Sequence, residues 1–234
     1  MTRPLKKTRE RFFGEQAAKC LGVAWTLGPD RERPDFIVNE GEQQFGLEIC
    51  EIFTGPQRRA GSAMKESESN NQRDLNRLRL EYEAITQISL SVKFVGNMSS
   101  ENMASVIPAL IAEDFASKPI LHHVVIDEDN GLRIHVTKAF RPDWISENHR
   151  VGWVDRNPMG RIVAAINKKS KELPSYRDAA GADIRLLIVA DRTYNSGKLM
   201  INQSVALDPR GFSVVYFYSY PESVTIFHHA ADAA

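Results

Sequence analysis

Residues 33–54 read RPDFIVNEGEQQFGLEICEIFT, and this stretch decides the fold. Two apolar segments rich in Ile, Val and Phe flank the polar residues 39–42, a pattern that predicts a β-hairpin. The first strand opens with an acid, Asp35, and the second carries Glu48 near its middle. Because a carboxylate inside an apolar strand is costly to desolvate, and two neighbouring carboxylates repel, a cation is expected between them. The hairpin therefore predicts a site for a hard metal ion.

The spacing of these acids also resembles a known motif. Pro34-Asp35, a hairpin and then Glu48-Ile49-Cys50 are similar to the PD-(D/E)XK superfamily of restriction-endonuclease-like nucleases, with cysteine where the family usually has lysine. The resemblance implies a core helix, a three-stranded meander, a second helix and one more strand. It also implies that Asp35, Glu48 and the carbonyl of Ile49 hold Mg²⁺ or Mn²⁺. The alternative is a surface hairpin whose acids face solvent.

A first core helix is predicted over residues 8–21, because apolar residues recur at helical spacing and Gly22 suits the left-handed conformation that ends a helix. By the resemblance, an acid on this helix completes the metal shell. Glu15 precedes two alanines as such an acid does in the family, whereas Glu10 lies closer to the apolar stripe. We assign Glu15 to the site. For both acids, a solvated position on the helix surface is the alternative.

A second strong helix is predicted over residues 158–173. Lys169 follows its apolar stripe, whereas Lys168 and Lys171 fall to the side. An unpaired buried charge is expensive, so this amine needs a partner or an exit to water. If the helix crosses the sheet as the resemblance implies, the hairpin acids are that partner, and Lys169 helps to orient or activate the attacking water. Otherwise the side chain buries its stem and keeps its amine in water.

The remaining pattern predicts an α/β or α+β fold of the restriction-endonuclease-like kind, with a mixed β-sheet core flanked by helices. The hairpin at 35–53 and a buried strand at 184–190 share that sheet. Residues 55–150 are expected to hold the remaining core strand and an insertion. We therefore expect a single domain, 1–234, elaborated at about 55–150.

Two further residue types need an interpretation. Cys50 is predicted to be a small buried hydrophobe, and the alternative is a thiol nucleophile. His122 and His123 are adjacent on a predicted strand and point to opposite faces, so both cannot ligate one metal without distortion. Structural roles are predicted for them and for His135.

Composition limits the partners and the location. Lys plus Arg and Asp plus Glu each number 30, so any contact with nucleic acid requires a local basic patch. No stretch approaches the roughly 20 apolar residues that a membrane helix needs, so no membrane partner is expected. Two cysteines give no disulfide framework, which predicts a reducing, cytoplasmic setting. Many relatives in the superfamily act as dimers, so the resemblance also implies a homodimer.

The sequence thus predicts a metal-dependent nuclease that hydrolyses phosphodiester bonds of DNA or RNA. The alternative is a protein of the same fold that has lost catalysis and binds nucleic acid or a partner, for example in a defence or toxin system. Cysteine at position 50 and zero net charge favour that alternative.

Overall fold

The computed structural model describes residues 4–58, 61–127, 131–147, 152–201 and 206–228. The chain forms two compact units, one of residues 1–62 with 153–234 and the other of residues 63–152. In chain order the elements are α1 (Pro4–Leu21), β1 (Thr26–Leu27), β2 (Phe36–Glu40), β3 (Gln43–Glu51), β4 (Gln57–Arg58), β5 (Gly61–Ser62), α2 (Ala63–Ile85), β6 (Leu90–Val95), α3 (Ser100–Ala112), β7 (Leu121–Asp127), β8 (Leu132–Lys138), β9 (Trp144–Ser146), α4 (Met159–Ser170), α5 (Leu173–Ala180), β10 (Ile184–Asp191), β11 (Val214–Tyr220) and β12 (Ser223–His228).

The larger sheet has the strand order β1-β2-β3-β10-β11-β12. Its central pairs, β3 with β10 and β10 with β11, are parallel, and its outer pairs are antiparallel. The prediction of a mixed sheet flanked by helices is confirmed. All six described strands of this sheet lie outside residues 55–150, so the prediction that this stretch supplies the remaining core strand is wrong for the described residues.

Helices cover both faces of this sheet. On one face Phe13 of α1 packs with Phe36 and Leu47, and on the other Ile166 of α4 packs with Ile188 of β10. Strand β10 is an almost unbroken run of buried apolar residues, as expected for a central parallel strand with both faces covered.

Both predicted core helices differ from the structure at their ends. Helix α1 begins at Pro4 rather than at residue 8, which adds one turn before the predicted start. The second helix ends at Ser170, and α5 begins at Leu173. Pro174 occupies the first turn of α5, where its missing N–H has no helical acceptor to lose. The proline therefore opens a new helix instead of only ending the previous one.

The second unit has its own core and a four-stranded sheet in the order β7-β8-β6-β9. Trp144 is buried in that core, and its indole N–H donates to the carbonyl of Leu90 at 2.9 Å. The adjacent histidines diverge as expected: His122 meets Glu113 at 3.4 Å, whereas the His123 ring lies against His135, with 4.5 Å between ring centroids. The sequence Glu-Asp-Asn-Gly at residues 128–131 predicts a hairpin turn between β7 and β8, and of these residues the structure describes Gly131 alone.

Candidate functional site

The two hairpin acids meet where β2 begins. Phe36 is the first paired residue of β2 and lies opposite Leu47, so Asp35 and Glu48, the next residues along the two segments, meet where this pairing ends. Both acids are buried, with only 3% of Asp35 and 4% of Glu48 exposed. Asp35 Oδ2 accepts the N–H of Ile49 at 2.8 Å, which holds the carboxylate at the edge of the hairpin.

The environment of Asp35 disfavours its charge. Burial raises the pKa of Asp35 to about 6, and the nearby charge of Glu48 acts in the same direction. The hydrogen bond from Lys7 lowers this pKa, but it does not cancel the other two effects. The repulsion expected from two acids on neighbouring strands is therefore present in the folded protein.

Lys7 and Glu10, on the first turns of α1, join this pair of acids. The amine of Lys7 lies 2.5 Å from Asp35 Oδ1 and 3.0 Å from Glu10 Oε2, and all three side chains are buried. Burial lowers the pKa of Lys7, but the hydrogen bonds and charges of Asp35 and Glu10 outweigh it, so the net shift is upward. The motif resemblance favours Glu15 over Glu10, and Lys7 precedes the helix that the sequence predicts over residues 8–21.

Glu15, which the motif resemblance assigned to the site, is exposed. It follows Glu10 by five residues, a rotation of roughly 140° around an α-helix at 100° per residue. A helix that turns Glu10 towards Asp35 therefore turns Glu15 away from the sheet. Glu10 replaces Glu15 as the acid that α1 brings to the hairpin.

Lys169 of α4 reaches the hairpin from the opposite face of the sheet to α1. Its amine donates to Glu48 Oε1, while Lys168 and Lys171 are exposed. Burial lowers the pKa of Lys169, but the charge and hydrogen bond of Glu48 outweigh it and raise the pKa well above its ordinary value. The sequence predicts that Lys169 lies on the apolar stripe of its helix, and in the structure this lysine contacts Glu48, one of the two predicted acids.

Cys50 and Tyr176 complete the surroundings of Glu48. Burial raises the pKa of the Cys50 thiol to about 12, so the thiol is protonated near neutral pH, which argues against a thiolate nucleophile. Burial, followed by the charge of Glu48, also raises the pKa of the Tyr176 hydroxyl. Both groups are therefore neutral neighbours of the carboxylate.

Arg9 fixes the position of α1 over the sheet. Its guanidinium donates to both carboxylate oxygens of Glu51 at 2.8 Å each, and to Asp191 Oδ2 at 2.8 Å. Glu51 and Asp191 end the parallel strands β3 and β10, so one side chain connects the helix to both strands. Bidentate pairing of this kind has strict geometry, and it sets the rotation at which Lys7 and Glu10 face Asp35.

The residues present fit a hard cation in part. Within the described ranges no three His, Cys, Asp or Glu side chains are grouped closely enough to hold a metal ion. However, Mg²⁺ is usually held by one or two carboxylates with water in its other positions, and Asp35 and Glu48 supply two. Glu48 Oε2 is buried and is not the oxygen to which Lys169 donates, so it is the oxygen of this acid that a cation can reach.

No family model matches the chain, and neither a curated protein nor a solved structure shows significant similarity to it. The likeness to PD-(D/E)XK nucleases therefore stays a prediction that rests on the motif residues. No helix in the described part of the chain is long and apolar enough to cross a membrane.

Proposed function

We propose that the protein is a metal-dependent nuclease that hydrolyses phosphodiester bonds of DNA or RNA. One observation carries the proposal: two buried acids, Asp35 and Glu48, lie where the pairing of β2 with β3 ends, and the amine of Lys169 binds the second of them. The element order α1, β1–β3, α4 and β10 agrees with the order that the motif resemblance implies.

In this proposal Asp35, Glu48 and the carbonyl of Ile49 would hold Mg²⁺ or Mn²⁺, which would supply a water molecule of lowered pKa and positive charge beside the phosphate. Lys169 remains protonated beside Glu48, because the carboxylate raises the pKa of the amine. It therefore orients the attacking water or stabilises charge through hydrogen bonds, and it does not accept a proton. Cys50, which stands at the usual lysine position, supplies no charge.

The proposal is tested by incubating the full chain with plasmid DNA, single-stranded DNA and single-stranded RNA in Mg²⁺, in Mn²⁺ and in EDTA. We expect cleavage of at least one substrate with metal and none in EDTA, and we expect Glu48→Gln to remove it. Glu15→Gln is the matched control, because it changes an exposed carboxylate on α1 in the same way. Cleavage that survives in Glu48→Gln would overturn the proposal.

The second candidate function is binding without catalysis, in which the same fold recognises nucleic acid or a protein partner of a defence or toxin system. Cysteine at position 50 favours it, as does the neutralisation of Asp35 and Glu48 by lysines within the chain. Binding of a labelled oligonucleotide in the absence of any metal-dependent cleavage would support it. The cytoplasmic location and the homodimer remain predictions from the sequence.

A further inference from the structure

Asp35 uses both of its carboxylate oxygens in contacts with the chain itself. Oδ2 accepts the N–H of Ile49 at 2.8 Å, and Oδ1 lies 2.5 Å from the amine of Lys7. A cation that bridges Asp35 and Glu48 needs an oxygen from each acid. Asp35 Oδ1 does not accept the backbone N–H of Ile49, and this is the oxygen that the Lys7 ammonium occupies.

The charges around this position already balance. Three carboxylates, those of Asp35, Glu48 and Glu10, face three ammonium groups, and each lysine contacts at least one of the acids. Those lysines are Lys6, Lys7 and Lys169. A divalent cation that entered this group would add two positive charges to a neutral cluster in which two of the ammonium groups are largely buried. Like charges at such short range repel strongly when water is excluded.

Of the three lysines, Lys7 is the one placed to compete directly with a metal at Asp35. Lys169 binds the other acid, through Glu48 Oε1, so it does not occupy an oxygen of Asp35. Lys6 contacts only the Oε1 side of Glu10, and its side chain is 63% exposed. Lys7 also has a short path to water, since it lies on the first turns of α1 beside the exposed residues Leu5 and Lys6.

We propose that Lys7 is a built-in competitor for the metal site: its ammonium occupies Asp35 Oδ1 in the metal-free protein and must leave that oxygen when a divalent cation binds. Lys7 thereby stabilises the metal-free fold and weakens the affinity for metal. The inference rests on the proposed metal-dependent function, and it adds that the strength of metal binding is set by a residue that is not itself a ligand.

The first test measures the Kd of Mn²⁺ by isothermal titration calorimetry on the full chain, for the wild type, Lys7→Met and Lys6→Met. We expect Lys7→Met to bind Mn²⁺ more tightly by on the order of tenfold, because the competing charge is gone. Lys6→Met is the matched control: it removes an ammonium from the same helical turn and the same glutamate, but not from Asp35, and because its side chain is 63% exposed we expect it to change the Kd several times less than Lys7→Met does.

The second test uses the wild-type chain, so it does not depend on how a variant folds. Lysines are acetylated with an amine-reactive ester in EDTA and in saturating Mn²⁺, and the modification of each lysine is followed by mass spectrometry. We expect Lys7 to react severalfold faster in Mn²⁺, because its amine has left Asp35, and Lys19, exposed at the far end of α1, to react equally in both.

The outcomes separate this inference from the proposed function. Wild-type protein that binds Mn²⁺, with Lys7→Met binding no more tightly or Lys7 no more reactive in Mn²⁺, overturns the inference and leaves the nuclease proposal standing. A wild type that does not bind while Lys7→Met does supports the inference. Absence of binding in all three proteins overturns both.

Discussion

At the scale of single residues, Asp35 makes the stability of the metal-free protein depend on pH. Its pKa is about 6 in the folded state, against an ordinary value of 3.8. A carboxyl group whose pKa is raised by folding binds protons more tightly in the folded state, so it favours folding below pH 4 and this contribution is lost as the pH rises through 6. The size of the loss is on the order of 1–3 kcal/mol.

This effect can be isolated with Asp35→Asn, which cannot ionise. In urea unfolding with EDTA, we expect the free energy of unfolding of the wild type to fall relative to that of Asp35→Asn between pH 4.5 and pH 7.5. An equal difference at the two pH values would show that Asp35 titrates as an ordinary carboxylate.

Lys169 provides a second prediction at this scale. Because its ammonium is held on Glu48, Lys169→Met should lower the rate of metal-dependent cleavage by on the order of a hundredfold, the usual effect of losing one positioned electrostatic contact in an active site. Lys168→Met removes the neighbouring exposed amine and should change the rate little. Equal cleavage rates in the two variants would contradict a catalytic role for Lys169.

At the scale of elements, the rotation of α1 decides which of its side chains reach the hairpin. Arg9 holds that rotation through Glu51 and Asp191. Arg9→Met keeps the aliphatic stem but leaves two acids without their partner, so we expect a loss of about 1–3 kcal/mol in the free energy of unfolding. Lys19→Met, an exposed change on the same helix, is the control. Urea unfolding measures both, and a loss as small as that of Lys19→Met would contradict the role of Arg9.

The helices also show which parts of the fold and the site can be predicted from the sequence. Local periodicity repeats along each element and can be read from the residues. It predicts the hairpin, strand β10 and the apolar stripe of the helix whose Lys169 contacts Glu48. Lys7 and Glu10 could not be assigned in the same way, because their contacts with Asp35 depend on how α1 crosses the sheet. For Glu10 the sequence does contain one signal, which is its proximity to the apolar stripe of that helix.

At the scale of the whole molecule, zero net charge conceals a difference between the two units. Residues 1–62 and 153–234 contain 20 Lys and Arg against 17 Asp and Glu, whereas residues 63–152 contain 10 against 13. The unit that holds the acids of the site therefore carries a net charge of +3, and the other carries −3. Phosphate binding depends on local charge. The net charge of the whole chain is therefore a weak argument against a nucleic-acid partner.

We propose that Asp35 and Glu48 form a metal-dependent hydrolytic centre, and the dependence of the cleavage rate on Mn²⁺ concentration tests this most directly. For the wild type we expect a rate that is zero in EDTA, rises with Mn²⁺ and saturates. For Asp35→Asn we expect either no cleavage or a half-saturating concentration at least roughly tenfold higher, because one of two carboxylate ligands is lost. Cleavage by the wild type in EDTA, or a curve for Asp35→Asn that superimposes on that of the wild type, would contradict the claim.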